Sequence, residues 1–109
     1  MTPEEYRAMI AGQMSEKDLQ DKVIDTALRN GWLVYHTHDS RRSAPGFPDL
    51  VLVHPEHGVM WRELKKQKGR VSPDQKKWLD RLAAVDENAG VWRPSDWVSE
   101  QIVKELMGR

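Results

Sequence analysis

Residues 46–65 read GFPDLVLVHPEHGVMWRELK. Residues 49–54 are a near-continuous apolar run, residues 59–65 follow it with alternation, and Pro55-Glu56-His57-Gly58 supplies turn chemistry between them. The stretch therefore predicts a β-hairpin closed by a four-residue turn. Alternation puts Trp61, Glu63 and Lys65 on one face of the second strand and Met60, Arg62 and Leu64 on the other. Asp49, directly after Pro48, then falls opposite the Glu63–Lys65 end. A glutamate and a lysine two apart on one strand face read equally as a surface ion pair, worth about 0–1 kcal/mol. The aspartate on the neighbouring strand tips the reading towards a cluster of two carboxylates and a lysine at the hairpin's open end.

Such a cluster suits metal-assisted phosphodiester hydrolysis. Mg²⁺ takes oxygen ligands, keeps several waters and is typically held by one or two carboxylates plus a substrate phosphate. Asp49 and Glu63 supply the carboxylates, and Lys65 stands where it can orient an attacking water and offset negative charge on phosphorus.

Working outward, residues 1–12 read as a short or frayed helical lead-in with little chemistry. Ser15 is a plausible N-cap for a helix carrying Leu19, Val23, Ile24, Ala27 and Leu28 at helical spacing, which Asn30-Gly31 ends. Glu16 and Gln20 share its apolar stripe. Glu16 is open to two readings, a ligand reaching the cluster or a carboxylate favouring the helix dipole from the rim. Residues 32–37 read as a strand and residues 38–48 as a long loop in which Gly46 and Pro48 shape the turn that aims Asp49. Ser72-Pro73-Asp74-Gln75 opens a helix with a capping box, expected to end near Asn88-Ala89-Gly90. Residues 91–93 make a short strand and residues 94–109 a last helix. The order α-β-β-β-α-β-α predicts an α/β domain over residues 1–109, a mixed sheet flanked by helices.

The composition sets bounds. The 109 residues hold no cysteine, which excludes a disulfide framework and a thiolate metal site. No run approaches the roughly 18 apolar residues of a membrane span, and the first 20 residues lack the apolar centre of a secretory signal, so a cytoplasmic location is expected. Seventeen Lys and Arg balance seventeen Asp and Glu, yet residues 41–81 carry ten basic against five acidic side chains, a local +5. Arg41, Arg42, Lys66, Lys68 and Arg70 are candidates for gripping DNA phosphates, and the same charges read also as an ordinary solvated face. His36, His38, His54 and His57 match no closed zinc spacing. Trp32, Trp78 and Trp97 fall on apolar faces and read as core or dimer contacts rather than stacking platforms.

Taken together, Ser15-Glu16 with Gln20, Gly46-Phe47-Pro48-Asp49-Leu50, Glu63-Leu64-Lys65 and Ser72-Pro73-Asp74-Gln75 resemble, in this order, the VRR-NUC family within the PD-(D/E)XK nucleases. The resemblance spans residues 15–93 and implies a restriction-endonuclease-like core. It implies Asp49 and Glu63 as metal ligands, Leu64 as a backbone-carbonyl ligand, Lys65 as the catalytic lysine, and further site roles for Glu16 and Gln75. It also implies Mg²⁺, with Mn²⁺ substituting, and cleavage leaving 5′-phosphate and 3′-hydroxyl ends. Stand-alone chains of this size resemble virus-type members, thought to act as homodimers on branched DNA such as four-way junctions or flaps. Gln75 also reads as the partner in a capping box, and Gln20 as a neighbour bonded to Glu16. The rival class is a non-catalytic module that positions DNA for a partner protein.

Overall fold

The computed structural model describes residues 1–38 and 42–109. In chain order its elements are α1 (Pro3–Gln13), α2 (Glu16–Arg29), β1 (Leu33–His36), β2 (Leu50–His54), β3 (Gly58–Leu64), α3 (Pro73–Ala84), β4 (Asn88–Trp92), α4 (Pro94–Val98) and α5 (Gln101–Leu106). The strands form one mixed sheet in the order β1-β2-β3-β4, with β1/β2 and β2/β3 antiparallel and β3/β4 parallel. The expected α/β architecture is thus present, with four differences in detail.

The lead-in is a complete helix. Thr2 caps α1 through a reciprocal capping box with Glu5, and Ala11 is buried where α1 packs against α4. The hairpin turn holds three residues rather than four. His54 pairs directly with Gly58, whose φ of +81° supplies the left-handed residue that closes a three-residue loop. Helix α3 ends at Ala84, and Asn88-Ala89-Gly90 already belongs to β4. Asp86, at φ +63°, takes the left-handed position, the Glu87 N–H donates to the Leu82 carbonyl and the Asp86 N–H to that of Ala83. That is a Schellman stop built on aspartate instead of glycine, so composition alone pointed to the wrong terminator. Finally, the last helix is broken into α4 and α5 at Ser99-Glu100, where Glu100 has φ +68°.

One sheet face carries the core. Leu50 and Leu52 of β2, Met60 and Leu64 of β3 and Trp92 of β4 pack with Leu19, Val23 and Ala27 of α2 and Ile102 and Leu106 of α5. Trp32 joins them and its Nε1–H donates to the Leu106 carbonyl at 2.9 Å. The other face bears Val51, Trp61 and Glu63. There Phe47 meets Trp61 at 6.2 Å and Trp78 of α3 at 5.1 Å between ring centroids, both edge-on. No residue of α3 is fully buried, so this face is covered only in part. Towards β1 it lies open: Leu33 is 74% and Tyr35 62% exposed. Among the described residues no helix is long and apolar enough to cross a membrane.

Candidate active site

The β2/β3 register, Leu50 opposite Arg62, sets Asp49 beside Glu63 one step further along the same face. Three hydrogen bonds fix the arrangement. The Asp49 N–H donates to Glu63 Oε1 at 3.3 Å, the Leu64 N–H donates to Asp49 Oδ2 at 2.8 Å, and the Thr37 N–H, just past the end of β1, donates to the Asp49 carbonyl at 3.0 Å. Lys65 Nζ stands 3.7 Å from Glu63 Oε2. Asp49, Glu63 and Lys65 therefore converge as the hairpin reading requires.

The electrostatics distinguish this group from a surface ion pair. Glu63 is only 2% exposed and the Lys65 side chain 13%. Burial, reinforced by the hydrogen bond and charge of Asp49, pushes the Glu63 carboxyl from its ordinary 4.5 up to about 8, against the opposing pull of Lys65 and the Asp49 N–H. One lysine at 3.7 Å does not compensate two carboxylates in this setting. A hard divalent cation would, and the donor set, oxygen ligands from two acids, is of the kind Mg²⁺ takes. Among the described residues no group of three or more His, Cys, Asp or Glu side chains is gathered that could hold a metal ion.

The approach to Asp49 is rigid. Pro48 is fully buried and its carbonyl accepts from Thr37 Oγ1 at 3.2 Å. Gly46 has φ +82°, and a Cβ there would collide with the backbone of Asp74. Glycine is needed both for that dihedral and for the docking of the loop on α3.

The remaining expected residues divide. Glu16 is the first residue of α2 and is exposed, so its expected place on the buried stripe does not hold: packing begins one turn later, at Leu19. Gln20 is half-buried, and no hydrogen bond joins either residue to the Asp49–Glu63 pair among the described residues. Gln75 Oε1 accepts from the Ser72 N–H at 2.8 Å while Ser72 Oγ accepts from the Gln75 N–H, so the capping box is formed. Arg42, Lys66, Lys68 and Arg70 are exposed, and Arg41 lies outside the described residues. His36 and His38 approach at 3.8 Å between ring centroids without a third ligand among the described residues. Trp78, expected as a core or dimer contact, is half-buried on α3.

Two supporting arginines were not singled out from the sequence. Arg62, 4% exposed on the core face, donates to the carbonyls of Trp61 and Asn88, to Asn88 Oδ1 and to Glu105 Oε1, and lies 4.9 Å over the Trp92 ring. Burial lowers its pKa and Glu105 opposes the change. Its alternation with Met60 and Leu64 was the available signal. Arg93 donates from one terminal nitrogen to the carbonyls of Lys66, Gln67 and Gly69, tying down the segment that follows Lys65. No pattern in the sequence marks that contact.

A proline-aimed aspartate and an E-x-K strand end, side by side on a mixed sheet between helices, define a nuclease of the PD-(D/E)XK arrangement. The family model described as the VRR-NUC domain matches residues 4–95, and the chain belongs to that family. It is accordingly a nuclease-type DNA-processing domain. A solved structure titled "VRR_NUC domain" superimposes with a TM-score of 0.67 at 25% identity, covering 81% of this chain and 94% of that one. No curated protein matches the chain significantly.

Proposed function

We propose that the domain is a divalent-metal-dependent endodeoxyribonuclease acting on branched DNA. The observation that carries the metal dependence is the pairing of buried Glu63 with half-buried Asp49, whose carboxylates interact with a single lysine for compensation. Asp49, Glu63 and the Leu64 carbonyl would hold Mg²⁺, which supplies a water of lowered pKa and charge compensation at the phosphate. The Leu64 N–H keeps the Asp49 carboxylate oriented. Lys65 Nζ is placed to hydrogen-bond the attacking water and to favour its deprotonated form. Attack at phosphorus with departure of the 3′ oxygen leaves 5′-phosphate and 3′-hydroxyl ends. The exposed basic side chains of Lys66, Lys68 and Arg70 lie on the segment after Lys65 and serve as phosphate contacts.

One centre cuts one strand, so paired incisions across a junction need two copies. The open face of β1 and β2, with Leu33, Tyr35 and the 41%-exposed Val53, is an apolar surface suited to an isologous contact. Labelled linear duplex, flap, splayed-arm and four-way-junction DNA, incubated with Mg²⁺, Mn²⁺ or EDTA, test the assignment. Metal-dependent cleavage that favours branched substrates is expected, and Asp49→Ala and Lys65→Ala should abolish it while the circular dichroism spectrum is retained. Full Mg²⁺-dependent activity in either variant would sink the proposal. Metal-independent binding with no cleavage of any substrate would favour the DNA-positioning module instead.

A further inference from the structure

The aromatic chain Trp61–Phe47–Trp78 leads from the Glu63 face to an open cavity of about 500 Å³ between the loop before Asp49 and α3, lined by Ala44, Pro45, Asp74, Lys77, Trp78 and Arg81. None of these side chains has a part in the chemistry described above. We propose that this cavity is a subsite for one unpaired nucleotide of the DNA, with the base against the Trp78 indole and its phosphate between Lys77 and Arg81. The proposal rests on the DNA-cleaving reading and adds to it the element that senses strand pairing.

Four observations support it. Lys77 and Arg81 stand one turn apart on α3, and neither enters an ion pair among the described residues, whereas the adjacent Lys76 is tied to Asp80 at 2.6 Å. Two uncommitted cations beside an indole match a nucleotide's phosphate and base. Asp74, the one acid among the described residues lining the cavity, leaves their charge positive and offers an acceptor to a base amino group. The walls are pre-set: Trp78 Nε1–H donates to the Pro45 carbonyl at 3.1 Å, Phe47 sits edge-on against the indole, and Gly46 admits no side chain. The aromatic wall then needs little ordering on binding. Lastly, Pro45 is four residues from Asp49, a chain reach of at most about 14 Å. That distance is roughly four stacked nucleotides or fewer, so the cavity is within reach of a strand held at the carboxylates. A fully paired duplex keeps its bases stacked within the helix and cannot offer one to Trp78 without unstacking it, so the subsite discriminates in favour of bulges, flaps and junction strands.

The test uses the full chain in EDTA, where cleavage is absent, with DNA carrying 2-aminopurine either in a one-nucleotide bulge or fully paired. Wild type should change the bulge fluorescence and bind bulged DNA more tightly. Trp78→Leu should lose that preference roughly five- to hundredfold, the range for one base–aromatic stack. Because Trp78 also holds the loop, Lys77→Ala/Arg81→Ala, which alters only exposed side chains, is the second variant; it should lose most of the preference with its melting temperature unchanged. An unaltered bulge preference and fluorescence change in the double variant would overturn the subsite. The two proposals separate in Mg²⁺: a wild type that cuts and a double variant with full discrimination defeat the subsite alone. A wild type that never cuts, paired with a bulge signal lost in the double variant, supports the subsite and defeats the nuclease assignment.

Discussion

Glu63→Gln should leave the metal-free protein more stable and inactive. The Glu63 carboxyl titrates near 8 in the folded chain against 4.5 in the unfolded one, so between those values the folded state holds more protons and stability falls as pH rises. At about 1.4 kcal/mol per tenfold in proton affinity, ionising this group opposes folding by about 5 kcal/mol above pH 8 and about 3 kcal/mol at pH 7. Glutamine brings its own buried amide, so the variant gains less than those figures. A gain of at least about 1 kcal/mol at pH 8 is expected, which raises the melting temperature of a domain this size by roughly 5 °C. The assay is thermal unfolding in EDTA at pH 5.5, 7 and 8 for wild type and variant. Wild type should lose stability across that window, the variant should not, and Mg²⁺ should stabilise wild type only. A variant less stable than wild type at pH 8, or a wild-type melting temperature indifferent to pH, would refute the account of Glu63.

Gly46→Ala should cost about 1–3 kcal/mol in urea unfolding and reduce cleavage, since the added Cβ meets the Asp74 backbone at a left-handed φ; an unchanged melting profile would contradict the docking role of this loop. Arg62→Ala should destabilise by about 3 kcal/mol, below the full figure for a broken buried pair because Glu105 is 24% exposed. Double-mutant cycles with Glu105→Gln measure the coupling. Gln75→Ala should lose about 1 kcal/mol as the capping box opens and keep its metal-dependent cleavage; loss of cleavage at unaltered stability would assign Gln75 to the chemistry instead.

Local features were readable wherever a residue's role follows from its neighbours in the chain. The alternation of residues 59–65 set the faces of β3, and Ser72-Pro73-Asp74-Gln75 announced the capping box that α3 has. Glu16 shows what periodicity leaves open. Helical periodicity gives an angle around the axis but not a height along it, so a first-turn residue can share the stripe of Leu19, Val23 and Ala27 and still extend beyond the packed region. The end of α3 failed for a related reason: Asp86 is left-handed where its own N–H bonds the Ala83 carbonyl and the Glu87 N–H bonds that of Leu82, a pattern composition does not encode.

What the sequence determined by itself was the hairpin, the convergence of Asp49, Glu63 and Lys65, and the basic middle segment hidden in a neutral total. The first two follow from period-two alternation and short-range turn chemistry, and the third from counting charges by segment. Tertiary structure alone decided that Glu63 is buried, that Arg62 closes a network through Asn88, Glu105 and Trp92, and that Trp78 stands at an open cavity rather than in the core. Burial and long-range pairing depend on how elements stack in space, and a carboxylate becomes hard to ionise only when that stacking removes its water.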